Sequence, residues 1–383
     1  MSDNSKHASR REYLKFVGTA SGIYGITGTA LGQSGSSVRL PILKRGDEVV
    51  ESREFPTSWW EHYQRAKKKK NKLLRQIEML EKDTSNTKKQ TDMMSTTSLE
   101  IGDSQFGGLP GFRIHAEVRS SAVRDALTDS VDGISVRVSE SPMSGPASCP
   151  GRGTFNPTTG GVEVHSDVSS DSRGSTTTEV KYNGNNRLMT AAHLWGDCSV
   201  QIGDPASVDG GTNKIGEVST YDKGRDFVLI DNEGNPKYAN EVRDYNDSFD
   251  TWTRKPVDGY VAEAGVGSLM INNTIIYQVG STTGETDGYL TNTGLGSSDI
   301  DSSCVDFAGE GIKGDYTNAE GDSGGPVYHT EDGNAYMISP YLWWFANDET
   351  YHSCGTNNRV GTDGGAGTAA WEIHDHWGIK WNT

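Results

Sequence analysis

Downstream of residue 141 the apolar residues come in short runs separated by Gly, Ser, Asn and Asp. The runs lie at 161–165, 178–182, 188–191, 214–219 and 227–230, and then at 259–264, 275–279, 289–293, 325–329 and 335–339. Runs of this length between turn residues predict β-strands, and this many of them predict an all-β barrel or sandwich. A break near 245–258 divides them into two sets, so residues 141–250 and 251–383 are expected to be separate β units.

Upstream, the periodicity changes. Pro56 precedes Thr57 and Ser58, either of which can cap a helix that begins at Trp59 and runs to about Lys82. Leu73, Leu74, Ile77 and Leu80 supply its apolar stripe. The run Lys67-Lys68-Lys69-Lys70 reads first as a solvated helix face, and otherwise as a contact for an acidic surface, a membrane or the acidic half of the chain. Residues 34–56 read as irregular and 83–100 as linker, so 34–100 is expected to be a polar, helical linker or pro-region. Residues 101–140 contain a small strand–helix–strand pattern: 112–118 alternates, 121–131 has helical character and 134–138 alternates again. This module is either a pro-segment or a permanent part of the molecule.

The N-terminus carries a different signal. Ser9-Arg10-Arg11-Glu12-Tyr13-Leu14-Lys15 precedes a weakly apolar, Gly-rich run. Twin arginines before such a run are the pattern of a twin-arginine export signal, here over residues 1–33, with a cleavage site near Ala30 or a retained anchor. The expected partner is the twin-arginine export machinery, and the expected location is extracellular or at the cell surface.

Composition sharpens the picture. The 383 residues include 47 Gly and are 33% hydrophobic, which suits short strands and turns better than a helical bundle. The net charge of −16 is uneven. Residues 1–140 hold 22 Lys and Arg against 18 Asp and Glu, whereas 141–383 hold 14 against 34. A diffuse acidic surface argues against a nucleic-acid partner, because phosphates would be repelled. Cys149, Cys198, Cys304 and Cys354 all lie in the acidic half; their even number in an exported chain predicts two disulfides, with three pairings open.

The candidate chemistry lies in three segments. In Gly321-Asp322-Ser323-Gly324-Gly325-Pro326, glycines can hold a serine on a tight turn with its hydroxyl exposed. The N–H groups of Gly321 and Ser323 would then converge on one small space. His193 follows a strand-like run, and an imidazole titrates near neutrality. Asp226 enters the apolar run 227–230, where a carboxylate is costly to bury unless hydrogen-bonded. Asp222 and Asp231 lack such a run behind them and rank lower. His374-Asp375-His376 raises the thought of a metal, but positions i and i+2 on a helix diverge, so a surface reading is preferred.

The hexapeptide resembles the nucleophile loop of chymotrypsin-type serine proteases, and Thr190-Ala191-Ala192-His193 is similar to the segment that presents their general base. The order His193, Asp226, Ser323 is also that family's order. The resemblance spans roughly 145–383. Residues 279–284 and 367–371 look like parts of the streptogrisin-like bacterial branch, and the acidic excess resembles secreted proteins of salt-loving archaea. The resemblance implies two six-stranded antiparallel β-barrels with a catalytic triad at their junction. It implies Ser323 as nucleophile, His193 as base, Asp226 as its orienting carboxylate, and an oxyanion hole at Gly321 and Ser323. It implies that Asp322 supports the loop by pairing with a buried cation.

The sequence also departs from the family. Leu194 and Ala319 stand where many relatives have cysteines; the resemblance still leaves Cys149 to Cys198 and Cys304 to Cys354 as pairs. At the floor of the primary pocket stands Thr317, which argues against Lys or Arg selection. Ser339 and the aromatic stretch to Phe345 are candidate pocket wall, although the aromatics read first as core. The implied activity is peptide-bond hydrolysis of a peptide or protein substrate, with no metal or organic cofactor. The alternative is a protease-fold binding or scaffold protein, silent or blocked by its own pro-region.

Overall fold

The computed structural model describes residues 36–84, 96–118, 127, 129–140, 158–166, 173–196, 199–208, 211, 213–232, 237–246, 251–296, 309–344, 350–354 and 357–382. The export-type segment, most of the expected 121–131 helix, Cys149, Cys198 and Cys304 lie outside these residues, as does the Cys354 side chain. No helix among the described residues is long and apolar enough to cross a membrane.

In chain order the N-terminal region contributes β1 (Ser37–Arg45), β2 (Glu48–Pro56), α1 (Thr57–Thr84), β3 (Thr96–Phe106), β4 (Leu109–Val118), β5 (Ser130–Val131) and β6 (Ile134–Glu140). The helix follows Pro56 as its sequence predicts. Residues 37–56, which read as irregular, form a hairpin: β1 pairs antiparallel with β2 around Gly46, whose φ is +56°. Its alternation was hard to read because β2 carries Glu48, Glu51, Arg53 and Glu54 on a largely exposed strand. The expected linker ends early, because β3 starts at Thr96.

The first β unit follows, after β7 (Thr158–Gly160). It comprises β8 (Glu163–Ser166), β9 (Arg173–Ser175), β10 (Thr178–Tyr182), β11 (Asn185–Thr190), a 3₁₀ turn (Ala192–Trp195), β12 (Pro205–Val208), β13 (Asn213–Asp222) and β14 (Phe227–Asn232). These seven strands pair in the order β10-β11-β14-β13-β12-β8-β9. Val164, Leu188, Ala191, Leu194, Trp195, Ile215, Val228 and Ile230 fill its core.

The second unit contains β15 (Tyr238–Asn246), β16 (Thr251–Val261), α2 (Glu263–Ile271), β17 (Ile275–Gly280), β18 (Gly284–Leu295), β19 (Gly311–Ala319), β20 (Pro326–Glu331), β21 (Asn334–Pro340), β22 (Trp343–Trp344), β23 (Thr350–Cys354), β24 (Asn357–Thr368) and α3 (Ala370–Trp377). Around the expected break near 245–258, β15 and β16 pair antiparallel, with Glu241 opposite Pro256; residues 247–250 lie outside the described residues. The run at 259–264 is strand only to Val261, and helix from Glu263.

The architecture is therefore all-β with a small helical N-terminal region, as the run pattern predicts, but the second sheet does not stop at six strands. β1 pairs with β16 and β3 pairs with β18, so the N-terminal strands join a 17-stranded sheet. One core includes Trp59, Tyr63 and Ile77 of α1 together with Val266, Ile312, Tyr316, Trp371 and Trp381. The basic run meets this half rather than forming only a solvated face. Lys67 Nζ lies 2.8 Å from Glu263 and 2.7 Å from Glu310, and 4.9 Å from the Trp371 ring centroid. Buried Lys70 donates to the Gly294 carbonyl, while Lys68 faces solvent.

Candidate active site

His193 sits on the 3₁₀ turn directly after β11. Its neighbours Ala192, Leu194 and Trp195 are buried, which pins the turn to the first core. Leu194 also packs onto Gly174, where a Cβ would lie 2.6 Å from it. Thus an apolar contact of Leu194 anchors this turn.

Asp226 is fully buried and has φ of +52°, in the left-handed region. The carboxylate accepts two hydrogen bonds from one residue. His193 N–H donates to Oδ1 at 2.8 Å, and His193 Nδ1 donates to Oδ2 at 2.6 Å. The first bond fixes the backbone of the histidine, and the second fixes its ring and tautomer. The opposite nitrogen, Nε2, is buried and has no partner among the described residues. It is the basic edge that remains available.

The turn that presents Asp226 has its own supports, which the sequence did not reveal. The Asp222 carboxylate accepts from Arg225 N–H at 3.1 Å, from Arg225 Nη1 at 3.0 Å and from Trp377 Nε1 at 2.7 Å. Arg225 Nη2 donates to Glu372 at 2.8 Å, and Thr368 Oγ1 donates to the Arg225 carbonyl at 2.8 Å. Asp222, ranked below Asp226, therefore ties the turn to α3. The signal for this role was an Asp-x-x-Arg spacing too common to be informative alone.

Ser323 is 5% exposed, on a turn between β19 and β20. Gly321 and Gly324 have φ of +94° and +88°. A Cβ on Gly324 would lie 2.2 Å from the Ser175 carbonyl and 2.4 Å from Thr190 Oγ1, so only glycine fits beside the strand that leads to His193. The turn is braced from β9 and its continuation. Ser175 N–H donates to the Ser323 carbonyl at 2.6 Å, Ser175 Oγ to the Gly321 carbonyl at 2.8 Å and Thr177 Oγ1 to the Gly324 carbonyl at 2.6 Å. Thr190 Oγ1 donates to the Ser175 carbonyl at 2.7 Å, so Ser175 links the Ser323 turn to the strand before His193. Among the described residues, the N–H groups of Gly321 and Ser323 donate to no acceptor, whereas Asp322 N–H donates to Ala319 and Gly325 N–H to Asp322. Ser323 Oγ makes no hydrogen bond to His193 Nε2.

Asp322 departs from expectation. It is fully buried, yet no cation reaches it among the described residues. Oδ1 accepts from Thr282 N–H at 2.9 Å and Thr283 N–H at 3.2 Å, while Oδ2 accepts from Thr283 Oγ1 at 2.7 Å and Ala319 N–H at 2.8 Å. Burial pushes its carboxyl up to about 6, against the opposing pull of these donors. The cation was expected from the family pattern; neutral donors from a Ser-Thr-Thr turn take its place.

The remaining candidates lie on β19, on β21 and the segment after it, and on α3. Thr317 is half-buried on β19 and its carbonyl accepts from Thr286 Oγ1 at 2.6 Å. Ser339 is buried opposite Val327. Nearer the nucleophile turn is Tyr341, whose carbonyl accepts from Gly324 N–H at 2.6 Å; its ring is core, with its hydroxyl donating to Asn318 at 2.7 Å. Trp343 lies alongside, half-buried and paired with Ala366. His374 is not a surface residue: it is buried against Tyr260 and bonds the Ile379 carbonyl at 2.7 Å, while His376 is exposed.

The chain matches no protein-family model and no curated protein. Among solved structures it is similar to the Nocardiopsis protease NAPase, at 17% identity and a TM-score of 0.40, over 59% of this chain and 100% of that one. It is similar to the chymotrypsin of Cellulomonas bogoriensis at 19% identity and a TM-score of 0.39, over 59% and 98%. It is similar to Thermobifida fusca protease A at 16% identity and a TM-score of 0.39, over 59% and 99%. At such low scores these likenesses leave the reading of the site to its own geometry.

Proposed function

We propose that this chain is a serine endopeptidase, exported by the twin-arginine route and acting at or beyond the cell surface on peptide or protein substrates. The observation that carries the reading is the doubly bonded Asp226–His193 pair, with Nε2 left unengaged and with Ser323 on a turn bonded to Ser175, which Thr190 of the strand before His193 also bonds. In this reading Nε2 takes the proton of Ser323 Oγ as that oxygen bonds to the scissile carbonyl carbon. The carbonyl oxygen gains the negative charge and meets the N–H groups of Gly321 and Ser323. The tetrahedral intermediate expels the amine, which receives the proton from His193. Water, deprotonated by the same nitrogen, then cleaves the acyl-enzyme. Asp226 holds the His193 ring through Nδ1 and stabilises the imidazolium. Thr317 offers no carboxylate to a basic side chain, so a neutral side chain at the scissile position fits better.

The test is covalent. A fluorophosphonate should label the wild-type chain at Ser323 at low or high salt, and should not label Ser323→Ala. If no Ser323-dependent label forms at any salt concentration, the enzyme reading fails and the alternative of a silent binding protein on this fold takes its place.

A further inference from the structure

We propose that Thr282 and Thr283 are positioning residues that replace a buried cation at Asp322, so that the oxyanion loop is assembled in the unprocessed chain. This rests on the reading of Ser323 as the nucleophile.

The first argument is saturation. An ionised carboxylate has about four lone-pair sites. Here each oxygen of Asp322 already accepts two hydrogen bonds, from Thr282 N–H, Thr283 N–H, Thr283 Oγ1 and Ala319 N–H. A newly cut amino terminus would find no acceptor site left. The second argument is fit. A Cβ on Gly280 would lie 1.8 Å from Asp322 Oδ1, so the glycine before the Ser-Thr-Thr turn makes room for this carboxylate. The third is mutual bracing. Ser281 Oγ donates to the Gly321 carbonyl at 2.9 Å, Thr282 Oγ1 donates to the Glu320 carbonyl, and Ser281 N–H donates to Ser175 Oγ at 2.8 Å. Ser281 and Thr282 thus hold the carbonyls of Gly321 and Glu320, and in the planar trans peptide the Gly321 N–H points opposite to the Glu320 carbonyl. Every partner is neutral and comes from β9, the turn after β17 or the end of β19. None depends on a new chain end. The loop has this form while β1 and β3 are paired into the second sheet.

Two measurements test it. The full-length chain is treated with fluorophosphonate and its intact mass recorded together with that of any shorter species. Label on a chain that retains residues 36–140 is expected. Label only on species that have lost them overturns the inference but leaves the protease reading standing; no label on any species defeats both. Separately, Thr283→Val should lower kcat on the order of 10- to 100-fold with KM little changed, and Thr283→Ser should restore it to within about threefold. Unchanged kcat in Thr283→Val overturns the inference. If Thr283→Val does not fold, Asp322→Asn is read in its place, since it keeps the shape and swaps an acceptor for a donor; it should lose kcat likewise, and wild-type kcat in that variant overturns the inference.

Discussion

Two buried aspartates belong to the candidate site, one beside Ser323 in the chain and one bonded to His193, and they are treated differently. Asp226 accepts two hydrogen bonds, both from His193, one of them from a ring that can carry charge. Asp322 accepts four, all from neutral groups fixed by the backbone or by a threonine. The first carboxylate is arranged to respond to a proton arriving on its partner. The second is arranged to hold a shape. Burial alone does not tell a catalytic carboxylate from a scaffolding one; the chemistry of the donors does.

Breaking the first aspartate should cost most. Asp226→Asn would force the wrong tautomer on His193, and kcat should fall by roughly 10⁴ with the fold intact, read by steady-state kinetics and circular dichroism. Asp322→Asn should cost about 10²-fold or less in kcat, because the loop loses order while the base is untouched. A loss as large as that of Asp226→Asn would erase the distinction between the two.

Further from the chemistry, Glu372→Gln should weaken the hold of Arg225 on the turn that presents Asp226. We expect a fall of about two- to tenfold in kcat/KM, with little change in melting temperature. No change would mean that Asp222 and Trp377 suffice.

The pH dependence of stability tests the setting of Asp322 in another way. The folded-state pKa of Asp322, about 6, lies above its ordinary value of 3.8, so the native chain holds this proton more tightly than the unfolded chain. Its contribution to stability is therefore present at low pH and lost as pH rises through about 6. Between pH 5 and pH 8 the wild type should lose on the order of 1–2 kcal/mol relative to Asp322→Asn in urea melts. Activity should run the other way, since protonation removes an acceptor from the loop. A stability difference independent of pH would contradict the assignment. Smallest of all, Lys67→Met should destabilise the fold by about 1 kcal/mol or less, because Glu263 and Glu310 would lose their shared cation at a half-buried contact.

Much of this site was legible in the sequence, and the reasons differ by residue. Ser323, His193 and Asp226 sit in segments whose local pattern carries their geometry: glycines at positive φ, a helical turn after a strand, an acid ahead of an apolar run. The supports of Asp322 were not legible, because three of its four donors are backbone N–H groups, which leave no mark in a side-chain pattern. The 37–56 hairpin was hidden for another reason. Its outer strand is charged on both faces, so the period of two is masked. The contacts of Lys67 and Lys70 depended on where α1 docks, and a run of four lysines has the same appearance whether it docks or not.

The central claim is that Ser323 acts as the nucleophile through His193. The most direct measurement is a rapid-mix time course with an activated ester of a short neutral acyl peptide, comparing the wild type with Ser323→Ala and His193→Ala. The account predicts a burst of about one product per wild-type chain followed by slower turnover, and no burst from either variant. A burst that survives in Ser323→Ala, or a wild-type chain with no ester turnover at any salt concentration, would contradict it.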